Sequence, residues 1–148
     1  MSDSLLIDTN VLVYAYDRSE PDKQRRALEL LDRLVLSGGV LSTQVLGEFF
    51  VTVTRKIAAP LNTSEGYERI QNYTRAWTVL SVTPLIVLEA ARGVREHHLS
   101  YCDAQVWATA RLNQIPLILS EDLAHGAVLE GVRFLNPFAE GFRLEQLV

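Results

Sequence analysis

Leu5-Leu6-Ile7 is a short apolar run stopped at once by Asp8-Thr9-Asn10, and the pattern returns where Leu117-Ile118-Leu119 is stopped by Ser120-Glu121-Asp122. A run that is apolar at every position, and not at every second one, suits a strand buried on both faces in the middle of a parallel sheet. Val40-Leu41, Val79-Leu80-Ser81-Val82 and Gly131-Val132-Arg133-Phe134-Leu135 read as three further short strands. Helical stretches lie between them. The expected architecture is therefore an α/β fold, with a five-stranded, mainly parallel sheet covered by helices on both faces and joined by right-handed crossovers. No repeat, low-complexity segment or break in composition divides the chain, so one domain over residues 1–148 is expected.

The helices are punctuated in the sequence. Val11 to Tyr16 starts the first; Ser19-Glu20-Pro21-Asp22 opens the second, whose apolar positions Ala27, Leu28, Leu31, Leu34 and Val35 recur at three-to-four spacing up to Gly38-Gly39. Ser42 or Thr43 caps a third carrying Leu46, Phe49, Phe50, Val53 and Ile57. Asn62-Thr63-Ser64 begins a fourth through about Trp77, Thr83-Pro84 starts a fifth, and Ser100 caps a sixth ending before Pro116. The apolar face of the third helix exceeds what a small sheet obviously buries, so it is a candidate surface for a subunit or partner.

Composition removes several function classes. The single cysteine, Cys102, closes no intramolecular bridge, and no Cys/His cluster has zinc spacing. Cys102 is expected to be buried packing, and a reducing cytoplasm fits. The opening Met1-Ser2-Asp3-Ser4 lacks the features of a secretory leader, and no apolar stretch approaches the ~20 residues that span a bilayer. Fourteen Lys+Arg against eighteen Asp+Glu give a net charge of −4, which argues against a chain that coats nucleic acid through a basic surface. It leaves a nuclease open, because a divalent-cation site needs carboxylates of its own.

Those carboxylates are placed suggestively. In an open parallel sheet ligands bind beyond the carboxyl ends of the strands, where Asp8 and Asp122 fall. Glu48, near the start of the third helix, and Asp103, in the first turn of the sixth, belong to the same edge. Four acids so close would raise one another's pKa, and a divalent cation relieves that. Mg²⁺ and Mn²⁺ favour oxygen ligands, and phosphodiester hydrolysis is the chemistry such a site serves. Each acid also has a plain structural reading. Asp8 can cap a helix, Asp103 stands at the capping-box position after Ser100, Glu48 can belong to a polar helix face and Asp122 to a turn.

Asp8-Thr9-Asn10-Val11-Leu12-Val13-Tyr14 after its strand, Glu48 in a phenylalanine-rich helix, Ser100-Tyr101-Cys102-Asp103-Ala104 and Leu119-Ser120-Glu121-Asp122 together resemble the PIN-domain ribonucleases, and among them the VapC toxins of prokaryotic toxin-antitoxin pairs. The resemblance runs in order over nearly the whole chain, through the terminal Val132-Arg133-Phe134-Leu135-Asn136-Pro137-Phe138. It implies a PIN-like three-layer fold. It also implies that Asp8, Glu48, Asp103 and Asp122 hold one or two Mg²⁺ or Mn²⁺ ions, and that activated water cuts RNA to leave a 5′-phosphate. Asn10 and Ser120 then support the acids or contact phosphate. The last acidic motif is the family's most variable, which leaves Glu121 as an alternative to Asp122. A homodimer and an antitoxin that covers the acidic groove with a cationic side chain are the implied partners.

Other residues read plainly. His97-His98 point about 100° apart on a helix, cannot readily chelate one ion, and are expected at a solvated helix end; His125 is expected in a polar loop. Arg18, Arg25, Arg26, Arg55 and Lys56 are candidate RNA contacts or simply a solvated face. A phosphorelay receiver, which also gathers acids at strand ends, needs a lysine near the last strand, whereas the only lysines are Lys23 and Lys56. A haloacid-dehalogenase-type phosphatase needs a second Asp where Asn10 stands, and no phosphate-binding glycine loop is present. A PIN-domain RNA-processing nuclease without an antitoxin, and a non-catalytic acidic-pocket module, remain as alternatives.

Overall fold

Residues 4–147 are described by a computed structural model; Met1 to Asp3, where the leader was expected to be lacking, and Val148 lie outside the described residues. The strands are β1 (Leu5–Ile7), β2 (Gly39–Ser42), β3 (Thr78–Leu80), β4 (Leu117–Leu119), β5 (Val128–Leu129) and β6 (Val132–Leu135). Helices α1 (Thr9–Tyr14), α2 (Pro21–Leu34), α3 (Thr43–Arg55), α4 (Thr63–Ala76), α5 (Pro84–His97) and α6 (Tyr101–Leu112) lie between them. The sheet order is β3-β2-β1-β4-β6-β5. The first five of these strands in spatial order pair in parallel, and only β5 runs antiparallel, at the edge beside β6. This is the expected α/β architecture, with six strands in place of five.

The extra strand comes from a tight hairpin at Glu130-Gly131. Both residues have positive φ, 46° and 84°, the signature of a type I′ turn, whose usual first residue is Asn, Asp or Gly. A glutamate there hides the signal. What holds it is an ionic cluster: Arg92 donates to Glu130 at 2.9 Å, Arg111 approaches to 3.4 Å, and His97 shares a hydrogen bond with the same carboxylate. Arg92 in first place, with His97, holds the Glu130 carboxyl down at about 2. His97 is thus no solvated helix end, since it also meets the edge of Trp107 with ring centroids 5.5 Å apart. His98, at φ 58°, does close α5 as expected.

Strand alternation builds two cores. Leu5, Ile7, Leu41, Leu119 and Leu135 face α1 to α4, whereas Leu6, Val40, Ile118 and Phe134 face α5 and α6. The result is three layers, helices over each face of one sheet. Of the α3 side chains expected to serve a partner, all but the half-buried Phe50 are spent inside the chain. Leu46, Phe49 and Val53 are buried in the first core, where Phe49 meets Tyr16 and Tyr73 edge-on. Their apolar stripe serves α1 and α4 as well as the sheet, which is why it looked excessive.

The second core sets the position of α6. Trp107 is fully buried, and a Cβ at Gly93 of α5 would lie 2.9 Å from its Cζ3 and 3.4 Å from Ala104 Cβ. The ring cannot swing away from a packed core. Gly93→Ala is therefore expected to destabilise the protein by about 1–3 kcal/mol, read as a lower urea midpoint with unchanged slope.

Candidate metal centre

Parallel pairing of β1 with β4, in register Ile7 to Leu119, brings the residues just past both strands to one point. Asp8 follows β1 directly and is the N-cap of α1, its Oδ1 accepting from Thr9 N at 2.7 Å. That cap starts the helix at Thr9, earlier than the expected Val11. Ser100 caps α6 by accepting from Asp103 N, which fixes the first turn bearing Asp103. The capping role read for Asp8 is therefore present, whereas Asp103 contributes its backbone N–H and not its carboxylate to the cap; one carboxylate oxygen from each of Asp8, Asp103 and Asp122 lies within 4.8 Å of the other two.

The surroundings hold the trio together. Ser120 Oγ, fully buried, donates to Asp8 Oδ2 at 2.7 Å and accepts from Asp122 N at 3.1 Å. Asn10 Nδ2 donates to Asp122 Oδ2 at 3.1 Å and to Ser120 Oγ at 3.3 Å, while its Oδ1 accepts from Glu121 N. Asn10 and Ser120 thus each hydrogen-bond to one of the acids and to each other.

Glu48 lines the same cleft but is outside the close trio. Thr9 Oγ1 donates to its Oε2 at 3.0 Å and Gln44 Nε2 to its Oε1 at 3.1 Å. Glu121 turns the other way, towards Lys23 and Tyr14, so of the two neighbours Asp122 is the one that joins Asp8 and Asp103. Cys102, expected as buried packing, is exposed and borders the cleft. It sits one residue before Asp103 on the first turn of α6, a helix end that opens to the cleft and not to the core. His125 accepts from Asn136 N, an ordinary loop contact.

Electrostatically the trio is uncompensated. Among the described residues none of the three acids forms an ion pair. Burial pushes the Asp8 carboxyl up to about 6 against the hydrogen bonds from Ser120 and Thr9, and the charges of Asp122 and Asp103 add to the rise. Asp103 is raised as well, mainly by burial, with Asp122 and Glu48 contributing. A buried carboxylate, two more within reach, all-oxygen donors and no cationic partner fit a hard divalent cation.

Beside the trio opens a cleft of about 1060 Å³, bordered by Thr9, Glu48, Lys56, Glu121 and Asp122 and floored in part by Val13 and Ile57. Of the basic residues considered as RNA contacts only Lys56 borders it. Arg25 pairs with Asp22, and Arg26 donates to Pro137 O and lies over the Phe142 ring. Sequence reasoning missed Thr9, Gln44, Lys23 and Tyr14. Gln44 could have been found, since it stands four residues before Glu48 on one helix face.

No curated protein sequence matches the chain. A toxin-antitoxin complex from Klebsiella pneumoniae is similar in structure, with TM-score 0.66, 18% identity, and coverage of 91% of this chain and 98% of that one. FitAB bound to an IR36 DNA fragment gives TM-score 0.65 at 20% identity, covering 90% and 94%. VapC20 from Mycobacterium tuberculosis, described as a Sarcin-Ricin loop cleaving toxin, gives TM-score 0.59 at 19% identity, covering 78% and 87%. These likenesses concern the fold. Residues 5–128 match the PIN domain, and because that stretch holds β1 to β4 together with Asp8, Glu48, Asp103 and Asp122, the chain belongs to the PIN domain family.

Proposed function

We propose that this protein is a divalent-metal-dependent endoribonuclease, and that it is the toxin of a VapBC-type pair. The observation that carries the reading is the uncompensated group of Asp8, Asp103 and Asp122 at the carboxyl ends of β1 and β4. Those three would hold Mg²⁺ or Mn²⁺, and when bound such a cation supplies charge neutralisation and Lewis-acid activation of water and phosphoryl oxygen. Ser120 and Asn10 keep the carboxylates aimed while two of the three stay accessible. Glu48, whose oxygens are held by Thr9 and Gln44, is the fourth acid of the reading; it faces the cleft as an acceptor for protons or water. RNA lies along the cleft, with Lys56 meeting its backbone.

The purified protein is expected to cut RNA in Mg²⁺ or Mn²⁺ and to stop when a chelator is added. Cleavage that ignores the chelator defeats the assignment. The toxin role is supported by the toxin-antitoxin proteins that share the fold. An inhibitory partner should present Arg or Lys to the acids, because a cationic side chain substitutes for the metal's charge where a neutral one does not. An RNA-processing nuclease would share the acids, and a short reading frame for a small DNA-binding protein directly upstream separates the two. With the α3 face buried, a homodimer would use the exposed apolar side chains of α5, Leu85 and Leu88, each 70% exposed; a monomer in light scattering at every concentration rules it out.

A further inference from the structure

Tyr14 and Glu121, which line the cleft, belong to a second polar group that takes no part in the chemistry above. Lys23, in the first turn of α2, donates from Nζ to Glu121 Oε2 at 2.6 Å and to Tyr14 Oη at 3.3 Å. Tyr14 in turn donates to Glu121 Oε1 at 2.5 Å. Both oxygens of Glu121 are engaged, across 98 positions of sequence from the lysine. The ammonium also lies 4.9 Å from the centroid of the Tyr14 ring, which meets Phe138 edge-on at 4.8 Å. A lysine held by a carboxylate, a phenol and an aromatic face is far better fixed than an isolated surface pair.

Glu121 immediately precedes Asp122, in a segment after β4 that belongs to no helix or strand. Two sets of contacts hold this segment. Asn10 and Ser120 grip it from the side of the acids, and Lys23 with Tyr14 grips it from the side of α2. Consecutive side chains diverge between the two grips, Glu121 to Lys23 and Asp122 to Asn10. We propose that Lys23 and Glu121 are a positioning pair: they tether the loop after β4 to α2 and so fix where Asp122 stands for a divalent cation. This rests on the reading of the acid trio as a cation site. Lys23 touches none of the three acids, so it acts through Glu121. It also pairs with the carboxylate next to Asp122 and holds it turned away from the trio.

The test uses wild type, Lys23→Met, Lys23→Arg and the double variant Lys23→Met/Glu121→Gln. Amide hydrogen exchange at residues 121 and 122 is measured without metal, and Mn²⁺ binding is measured by calorimetry. Lys23→Met should speed exchange at both amides about tenfold and weaken Mn²⁺ binding by about tenfold, the size usual for a support of a metal ligand, while Lys23→Arg restores both. The double variant should be no worse than Lys23→Met alone. Unchanged exchange overturns the tether, and Mn²⁺ affinity within about twofold of wild type in Lys23→Met overturns the link to Asp122. Wild-type protein that takes up no Mn²⁺ overturns the cation site itself, and the metal-free exchange data still decide the tether.

Discussion

Asp103→Asn is expected to keep the fold and lower RNA cleavage in Mn²⁺ by roughly 10³-fold or more. A metal site contributes several kcal/mol of transition-state charge stabilisation, and each 1.36 kcal/mol is about a factor of ten. The substitution removes one of three close oxygens that carry charge, yet it leaves the backbone N–H that Ser100 accepts from, so the α6 cap survives. Undiminished cleavage would remove Asp103 from the site. Without metal the variant should melt no lower than wild type, since relief of repulsion from Asp122 and Glu48 offsets the loss of the charge. A fall of several degrees would mean that Asp103 serves mainly the helix terminus. Asp8→Asn is a less clean probe. Its two oxygens accept from Thr9 and Ser120, and an amide retains only one of them.

Metal-free protein is expected to lose about 3 kcal/mol of stability between pH 4 and pH 8 through Asp8 alone, because its carboxyl is raised from 3.8 to about 6. The folded state binds this proton more tightly than the unfolded chain does. The contribution is therefore complete below about pH 4 and is lost as pH rises through about 6. Urea denaturation in chelator at pH 4 and pH 8, read as the difference between wild type and Asp8→Asn, isolates it from the other groups. Mn²⁺ should reverse the trend, adding about 2.7 kcal/mol at one hundred times its dissociation constant, and doing so at pH 8 but only weakly at pH 5. A wild type whose pH dependence matches that of Asp8→Asn would show that the carboxyl is not held in its neutral form.

The layers and the acid positions were legible because they rest on local signals. Leu5-Leu6-Ile7 and Leu117-Ile118-Leu119 are unmistakable central strands, and each is followed by its acid. What escaped depended on partners distant in sequence. Glu130 opens a hairpin because Arg92, His97 and Arg111 converge on it from two helices, and no local rule expects glutamate with positive φ. The α3 stripe looked like a docking face because its true neighbours, α1 and α4, are contributed by other parts of the chain. Cys102 looked like core because its residue type is usually buried, whereas the first turn of α6 opens onto the cleft. The choice between Glu121 and Asp122 was open in the sequence, and a lysine 98 positions away separates them.

The register of β1 against β4 has a consequence for the order of events during synthesis. Asp8 meets Ser120 across 112 positions of sequence, so the first acid of the trio waits for the fourth of the six described strands before its site exists. Such a distant contact forms late, after the more local α5–α6 hairpin and the β2–β3 pair can assemble, since closing a long loop must precede any gain from it. A nascent chain that stops short of Leu117 carries Asp8, Glu48 and Asp103 but lacks both the strand that pairs with β1 and the residue that completes the trio. Assembly of the acid trio is thereby withheld, by topology alone, from every translation product that stops short of β4 and Asp122.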